Sequence, residues 1–277
     1  MLAFGPWRPT MMSWLKKAGR VLALPIATAI VLFGARFVAE AVQAGPGGPS
    51  GPVQGAVEGP RVQIGFPLDK SSCFTRFYIG RVKTPSIGAR KAPSITAPVT
   101  YRFHRRNVQG GPQVFLLRGS SWAPNGSLWF RALLPVRPNG TTAWLPARSL
   151  SVTSTLYHLV VDRHSLALTL WKGCQAARRY HIGLGTKDTP TPVGHFYLAV
   201  LLKPPTPKTV YGAYAYGLSG YSPVIRNWRW GGIIGLHGTN DPSSVGHRES
   251  HGCIRMQNPA IKHLVRILPL GTPITIR

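Results

Sequence analysis

Proline recurs along almost the whole length of this 277-residue chain, which contains 26 Pro and 31 Gly. Because proline lacks a backbone N–H and its ring clashes inside a helix, this distribution disfavours long helices. Short apolar runs bounded by turn residues fit strands instead. Hydrophobic residues make up 44% of the chain, which is enough to form buried cores. The sequence therefore predicts a mainly β protein with little helix, divided by its length into about two folded units.

Residues 1–44 are predicted to be a signal peptide or a membrane anchor. Lys16, Lys17 and Arg20 precede an uncharged apolar run over residues 21–35, and residues 42–44 offer a small-x-small cleavage pattern. A cleaved signal and a retained anchor both remain open, because the run is shorter than a standard membrane-spanning helix. A buried helix of a cytosolic domain is the third alternative. The favoured interpretation is export to the cell wall or periplasm.

Residues 45–72 are interpreted as a Gly/Pro-rich linker, and residues 73–152 as a strand-rich module. Short apolar runs at 113–118, 128–134 and 141–145 alternate with the pairs Asn125-Gly126 and Asn139-Gly140, which are strong hairpin signals. Tryptophans 122, 129 and 144 accompany these runs. The turn spacing and the aromatic placement resemble a small bacterial SH3-like β-barrel.

Residues 155–277 are predicted to form a second, mostly β domain. Apolar residues alternate at 166, 168 and 170, and a rigid turn over 189–194 leads into an apolar run at 195–202. Ile261, Leu264, Val265 and Leu268 share one helical face, so a short helix is expected over residues 261–268. Further strands are predicted at 156–161, 180–185 and 272–276.

The formal net charge is +26, from 33 basic and 7 acidic residues, and it is spread over both predicted domains. Such a surface attracts polyanions in general. Nucleic acid, anionic envelope polymers and phospholipid all fit the charge alone. An export signal would separate the protein from nucleic acid, so envelope polymers are favoured.

His237, His247, His251 and Cys253 fall within one short stretch, 236–258. A thiol near imidazole is the minimum set of groups for nucleophilic catalysis, and the surrounding positive charge is expected to favour the thiolate. Gly252 permits a tight turn that exposes the thiol and points backbone N–H groups at a developing oxyanion.

Three alternatives to a catalytic thiol stay open at this point: a zinc site, an inert buried cysteine, and an inactive wall-binding protein. The other cysteines, Cys73 and Cys174, would either pair with each other or remain single.

Four ordered segments resemble the signature of the L,D-transpeptidases, the YkuD-type domain. They are Thr-Pro-Val-Gly-His-Phe at 191–196, His-Gly-Thr-Asn at 237–240, Ser-Val-Gly at 244–246 and Ser-His-Gly-Cys-Ile-Arg-Met at 250–256. The resemblance covers residues 155–277 and implies a mixed β-sandwich catalytic domain. Pro259-Ala260 stands where the family often has an acidic residue, which predicts a lost helix cap.

The resemblance implies a peptidoglycan L,D-transpeptidase of cell wall biogenesis. It forms 3→3 cross-links between stem peptides through a cysteine acyl-enzyme and releases terminal D-alanine, with neither a metal nor a cofactor. Water as the acceptor would make it an L,D-carboxypeptidase instead, and a non-catalytic envelope-binding protein is the third possibility.

The resemblance also implies roles for individual residues. Cys253 would be the nucleophile and His237 the general base, oriented by the backbone carbonyl of Gly238. The N–H groups of Gly252 and Cys253 would stabilise the oxyanion. The substrate-binding residues would be Ser250, His251 and Arg255, and His247 receives no role.

Overall fold

A computed structural model describes residues 76–277. The predicted signal or anchor segment, the linker and Cys73 therefore lie outside the described residues. Within residues 76–277, no helix combines the length and apolarity needed to cross a membrane. Cys174 is disulfide-bonded, and Cys253 carries a free thiol.

Seven antiparallel strands form the first sheet, in the order β3-β2-β6-β5-β4-β1-β7. We call residues 77–155 the β module. Its strands are β1 (Phe77–Val82), β2 (Ser86–Arg90), β3 (Val99–His104), β4 (Val114–Trp122), β5 (Leu128–Leu133), β6 (Thr142–Pro146) and β7 (Leu150–Thr155). A short 3₁₀ helix, Ala147–Ser149, joins β6 to β7.

Both predicted hairpins are present in the β module. The pair Asn125-Gly126 turns between β4 and β5, and Asn139-Gly140 turns between β5 and β6. Gly126 and Gly140 have φ values of 75° and 85°, in the left-handed region where glycine is favoured. The antiparallel β architecture of this region is therefore observed, and its SH3-like character stays a prediction.

Eight strands form a second, curled sheet, in the order β10-β9-β8-β17-β12-β13-β14-β16. The pairs β8–β17 and β14–β16 are parallel, so the sheet is mixed. Its strands are β8 (Tyr157–Asp162), β9 (Ala167–Lys172), β10 (Gln175–His181), β12 (Gly194–Leu202), β13 (Ala215–Tyr221), β14 (Ile233–His237), β16 (Ile254–Arg255) and β17 (Pro273–Ile276). A parallel ribbon of β11 (Leu184–Gly185) and β15 (Arg248–Ser250) lies beside it.

The single α-helix of the described residues, α1, spans Asn258–Ile267. Ile261, Leu264 and Leu268 are buried in the core of the second sheet, as the predicted apolar face requires. The helix starts three residues earlier than predicted, because Pro259 is tolerated in a first helical turn. No side-chain hydrogen bond caps its start, in agreement with the predicted lost cap. Two further 3₁₀ helices cover Arg229–Gly231 and Pro242–Ser244.

Tyr197 of β12 joins the two sheets. Its side chain is fully buried, and its hydroxyl donates to the Val114 carbonyl at 3.0 Å. Apolar side chains of the β module surround it: Phe77, Ile79, Val114, Leu116 and Leu133. Residues 76–277 accordingly belong to one compact unit. The mainly β prediction is confirmed.

We expect Tyr197→Phe to lower the free energy of unfolding by about 1 kcal/mol, because the buried Val114 carbonyl loses the shorter of two side-chain hydrogen bonds, the other coming from Gln113 Nε2. Thermal and urea denaturation of the full chain measures this. Tyr157→Phe, at a half-buried tyrosine, is the matched control and should lower the free energy of unfolding by a smaller amount. Equal stability of wild type and Tyr197→Phe would contradict the importance of this bond.

Candidate active site

The parallel pairing of β14 with β16 brings Cys253 and His237 together. Leu236 pairs with Ile254, and His237 pairs with Arg255, so Cys253 comes directly before β16 at the level of Gly235. The Gly235 N–H donates to Cys253 Sγ at 3.3 Å. Cys253 as a whole residue is partly exposed.

Gly235 lies next to both the Cys253 thiol and the His237 imidazole. A Cβ atom at this position would lie 3.2 Å from His237 Cδ2 and 3.5 Å from Cys253 Sγ. Both reactive groups therefore border the space that any larger side chain would fill. Gly235 precedes the recognised motif, and its role emerges only from the strand pairing.

His237 is 4% exposed and closes β14. Its Nδ1 lies 2.5 Å from the Gly238 carbonyl oxygen, which can only accept, so Nδ1 carries the proton. Nε2 is then the unprotonated nitrogen, able to receive a proton. The carbonyl contact inferred from the motif is present.

Burial lowers the pKa of His237 to about 4; the Gly238 carbonyl opposes this shift, and Arg255 adds to it. Burial also raises the pKa of the Cys253 thiol, against the Gly235 N–H and Arg255, which lower it. Both groups are therefore neutral near pH 7. Positive charge lowers the thiol pKa, as the sequence predicts. Desolvation, which the sequence does not reveal, raises the thiol pKa and is the larger effect.

Gly252 forms the tight turn before the thiol, with a φ of 110°. Its N–H donates to Ser250 Oγ at 3.1 Å, and Ser250 Oγ donates to the Cys253 carbonyl at 2.6 Å. Ser250 is only 2% exposed. The Gly252 N–H, predicted as an oxyanion donor, and the Ser250 hydroxyl, predicted to bind substrate, both form hydrogen bonds within the loop in this structure.

Threonines preceding β12 hold the same turn. Thr191 Oγ1 donates to the Gly252 carbonyl and accepts from the Gly185 N–H, both at 3.0 Å. Thr189 Oγ1 donates to the Ser250 carbonyl at 3.1 Å. The Thr-Pro-Val-Gly segment was recognised in the sequence as a motif, and its contact with the cysteine turn is visible only in the structure.

Asn258 connects the segment after His237 to a neighbouring loop, 203–214. Its Nδ2 donates to the Thr239 carbonyl at 2.8 Å, and its Oδ1 accepts from the Ala213 N–H at 2.8 Å. A Cβ at Gly238 would lie 2.1 Å from that Oδ1. Asn258 therefore requires glycine at 238, the residue whose carbonyl binds His237. An open groove of about 450 Å³ adjoins it, lined by Pro207, Lys208, Thr239, Asn240, Pro242 and Asn258.

Two aromatic side chains that sequence analysis missed border the site. The Tyr211 ring meets the His237 ring edge-on, with centroids 5.2 Å apart. The Trp228 ring lies 5.5 Å from the ring of His251, which is exposed. Both belong to irregular segments without strand periodicity, so no sequence signal linked them to the site.

Arg255 is half-buried, and its backbone forms two 2.8 Å hydrogen bonds with Gly183. The positive charge of Arg255 acts on both reactive groups and lowers the pKa of His237 and of the Cys253 thiol. His247 and His251 are exposed. Across residues 76–277, no cluster of three or more His, Cys, Asp or Glu side chains is arranged to hold a metal ion.

Comparisons with known proteins agree with this geometry. The model of the YkuD L,D-transpeptidase catalytic domain matches residues 156–276. YkuD of Bacillus subtilis, which carries the name of an L,D-transpeptidase, is 36% identical over 120 residues, covering 43% of this chain and 65% of that protein. YqjB of the same organism, similarly named, is 30% identical over 128 residues, covering 43% of this chain and 70% of that protein. The chain belongs to the L,D-transpeptidase family.

The match to YkuD spans slightly less than two thirds of that relative's length. Among solved structures, the catalytic domain of the Enterococcus faecium L,D-transpeptidase is 25% identical, with a TM-score of 0.33, covering 44% of this chain and 96% of that one. The L,D-transpeptidase from Mycobacterium smegmatis is 16% identical, with a TM-score of 0.34, covering 55% and 90%. The family assignment depends on the sequence matches.

We expect the alkylation rate of Cys253 by iodoacetamide to rise with pH into the alkaline range, because burial raises the thiol pKa. Arg255→Gln should lower the rate at neutral pH, since losing the positive charge raises that pKa further. Intact-mass kinetics between about pH 5 and pH 10 measure both effects, with Cys253→Ala as background. A rate plateau beginning below about pH 7 would instead indicate a preformed thiolate–imidazolium pair.

Proposed function

We propose that the protein is a peptidoglycan L,D-transpeptidase that forms 3→3 cross-links through an acyl-enzyme on Cys253. The observation that carries the proposal is that the Cys253 thiol and the His237 imidazole both lie beside Gly235, with the imidazole Nδ1–H bound to the Gly238 carbonyl. Members of the family act on peptidoglycan stem peptides, which supports this choice of substrate.

In the first half-reaction, Cys253 Sγ attacks the carbonyl carbon of the third stem residue while its proton passes to His237 Nε2. A C–S bond forms, and the carbonyl oxygen becomes an oxyanion. When the intermediate collapses, the amide bond breaks and the imidazolium protonates the departing nitrogen of D-alanine. Because both groups start neutral, charge develops only during attack, when the Gly235 N–H and Arg255 stabilise the sulfur.

In the second half-reaction, a side-chain amine of a neighbouring stem attacks the thioester. His237 accepts a proton from that amine, an amide bond forms, and the Cys253 sulfur leaves and regains a proton. Water in place of the amine releases a tripeptide, so an L,D-carboxypeptidase is the alternative within the same chemistry.

The oxyanion is stabilised by the N–H of Cys253. The Gly252 N–H takes part only when substrate displaces its bond to Ser250. Arg255 binds a stem carboxylate in this proposal, a role suited to its planar guanidinium. His251, exposed beside the thiol, borders the bound peptide.

This chemistry requires an extracytoplasmic location, which the predicted signal or anchor over residues 1–44 would provide. A non-catalytic envelope-binding protein is the alternative from another class. A binding protein would not need the buried hydrogen bond between His237 and Gly238, whereas a catalytic base does. We therefore prefer the enzymatic function.

We expect Cys253→Ala to abolish the covalent adduct that wild type forms with a tetrapeptide stem or a carbapenem. His237→Gln should slow adduct formation by about a hundredfold or more, because the base is lost. Intact-mass kinetics measure both variants, and His247→Gln, at an exposed histidine, is the matched control that should react like wild type.

A folded wild-type protein that forms no adduct would favour the envelope-binding alternative. If adducts form, the products decide between the acceptors. Cross-linked dimers identify the transpeptidase, and tripeptide alone identifies the carboxypeptidase.

We also propose that the β module binds anionic phosphate polymer of the envelope. Residues 76–161 contain 12 Lys or Arg and no Asp or Glu. Nine of these basic side chains are exposed: Arg76, Arg81, Lys83, Lys91, Arg102, Arg105, Arg106, Arg131 and Arg148. The densest group, Arg102 with Arg105 and Arg106, lies at the end of the edge strand β3. The positive electrostatic potential of these side chains raises the local concentration of the enzyme near a polyanion.

We expect replacement of Arg102, Arg105 and Arg106 by Gln to weaken binding to poly(glycerol phosphate) by about tenfold and to reduce its salt dependence. The control removes the same charge from the second sheet, by replacing Lys172, Arg178 and Arg179 with Gln. Equal weakening by both triple variants would mean that the attraction is not localised in the β module.

A further inference from the structure

Arg137 of the β module reaches the connection between β13 and β14, residues 222–232, which we call the Trp228 loop. Its Nη1 donates to the Ser222 carbonyl at 2.8 Å. Its Nη2 donates to the Ile225 carbonyl at 3.2 Å and to the Gly231 carbonyl at 2.9 Å. One guanidinium thus joins the beginning, the middle and the end of the loop.

Neighbouring contacts hold the base of the Trp228 loop in the same place. Asn139 and Tyr221 exchange two hydrogen bonds of 2.9 Å between the Asn139 amide group and the Tyr221 backbone. The Tyr221 hydroxyl donates to the Pro135 carbonyl at 2.9 Å, and the Arg137 guanidinium lies 4.9 Å from the Tyr221 ring centroid. Residues 135–139 therefore act as a clamp on the loop.

The Trp228 loop is only partly fixed by its own hydrogen bonds, which include Ser222 N–H to the Gly232 carbonyl and Gly231 N–H to the Trp228 carbonyl, both at 2.8 Å. Gly231 and Gly232 have φ values of 72° and 75°, and a Cβ at Gly232 would lie 2.1 Å from the Ile225 carbonyl oxygen. Val224 and Trp228 are more than half exposed. Ordering such a segment costs conformational entropy, which external hydrogen bonds must offset. A guanidinium with five donors suits this task, because its geometry is rigid.

The Trp228 loop connects residues 135–139 to the reactive groups in two ways. Trp228 contacts His251, which lies two residues before Cys253. The loop also ends directly at β14, whose Gly235 N–H binds Cys253 Sγ and whose last residue is His237. A change in loop position would therefore move Trp228 relative to His251 and disturb the start of β14.

We propose that Arg137 is a positioning residue of the active site: it fixes the Trp228 loop so that Trp228 and His251 form one wall of the groove for the donor stem peptide. The inference rests on the proposed function for its substrate. The β module would then contribute to substrate binding through Arg137, independently of any attraction of the module to envelope polymer.

The test compares Arg137→Met and Arg137→Lys in the full chain with Arg266→Met, which removes an exposed arginine of α1. We expect Arg137→Met to lower kcat/KM for acylation by a tetrapeptide stem by about tenfold or more. Alkylation of Cys253 by iodoacetamide, a small reagent that does not need the peptide-binding surface, should change by less than about twofold. Arg137→Lys should be intermediate, since an ammonium keeps the charge but cannot bind the three carbonyls with the planar geometry of a guanidinium. Arg266→Met should match wild type.

Trp228→Ala gives a second, independent variant that leaves the clamp in place. If Arg137 acts through Trp228, the double variant Arg137→Met/Trp228→Ala should be no slower than the slower single variant. Additive losses, or wild-type kcat/KM in Arg137→Met, would overturn the proposal. Thermal denaturation of each variant identifies any loss of the fold.

Hydrogen–deuterium exchange separates failure of this proposal from failure of the proposed function. Arg137→Met should speed exchange in peptides covering 222–232 and leave those of the β10 region unchanged. Unaltered exchange in the Trp228 loop would overturn the clamp even if the enzyme is active. A wild-type protein that acylates no stem peptide would instead overturn the substrate assignment, while faster exchange would still support the clamp.

Discussion

The parallel pairing of β14 with β16 is the interaction on which the site depends. It sets His237 opposite Arg255 and brings the Gly235 N–H to the Cys253 thiol. A shift of the pairing by one residue would turn these side chains to the opposite face of the sheet. The pairing in turn depends on its surroundings, because the Trp228 loop leads into β14 and is held by Arg137 of the β module.

The burial that fixes this geometry also decides the protonation of the reactive pair. Basic residues outnumber acidic ones 33 to 7 in the chain, yet the thiol pKa is raised and the pKa of His237 falls to about 4. Exposed charges are screened by solvent, whereas desolvation acts at full strength on a buried group. The arrangement resembles a neutral pair that becomes charged only when substrate arrives, with Arg255 close enough to stabilise the sulfur.

Sequence reasoning succeeded where the determinants are local. The Asn-Gly turns, the alternating strand β9 and the amphipathic face of α1 are set by neighbouring residues. It missed β13 and β14, which are rich in glycine and are held by their partners in the sheet. At the site it predicted roles for Cys253, His237 and the Gly238 carbonyl from a motif, and the contact between His237 and that carbonyl is present. It missed Gly235 and Arg137, whose contacts join residues far apart in the chain.

The sequence by itself determined the chemistry available to this protein: one thiol and one imidazole in recognisable motifs, on a mainly β and strongly basic chain. Tertiary structure alone decided how that chemistry is arranged. It turned the Gly252 N–H toward Ser250, shielded the imidazole from water and brought the β module against the Trp228 loop. The physical reason is that residue identity supplies the reactive groups, whereas desolvation and hydrogen-bond partners arise only when distant segments pack together.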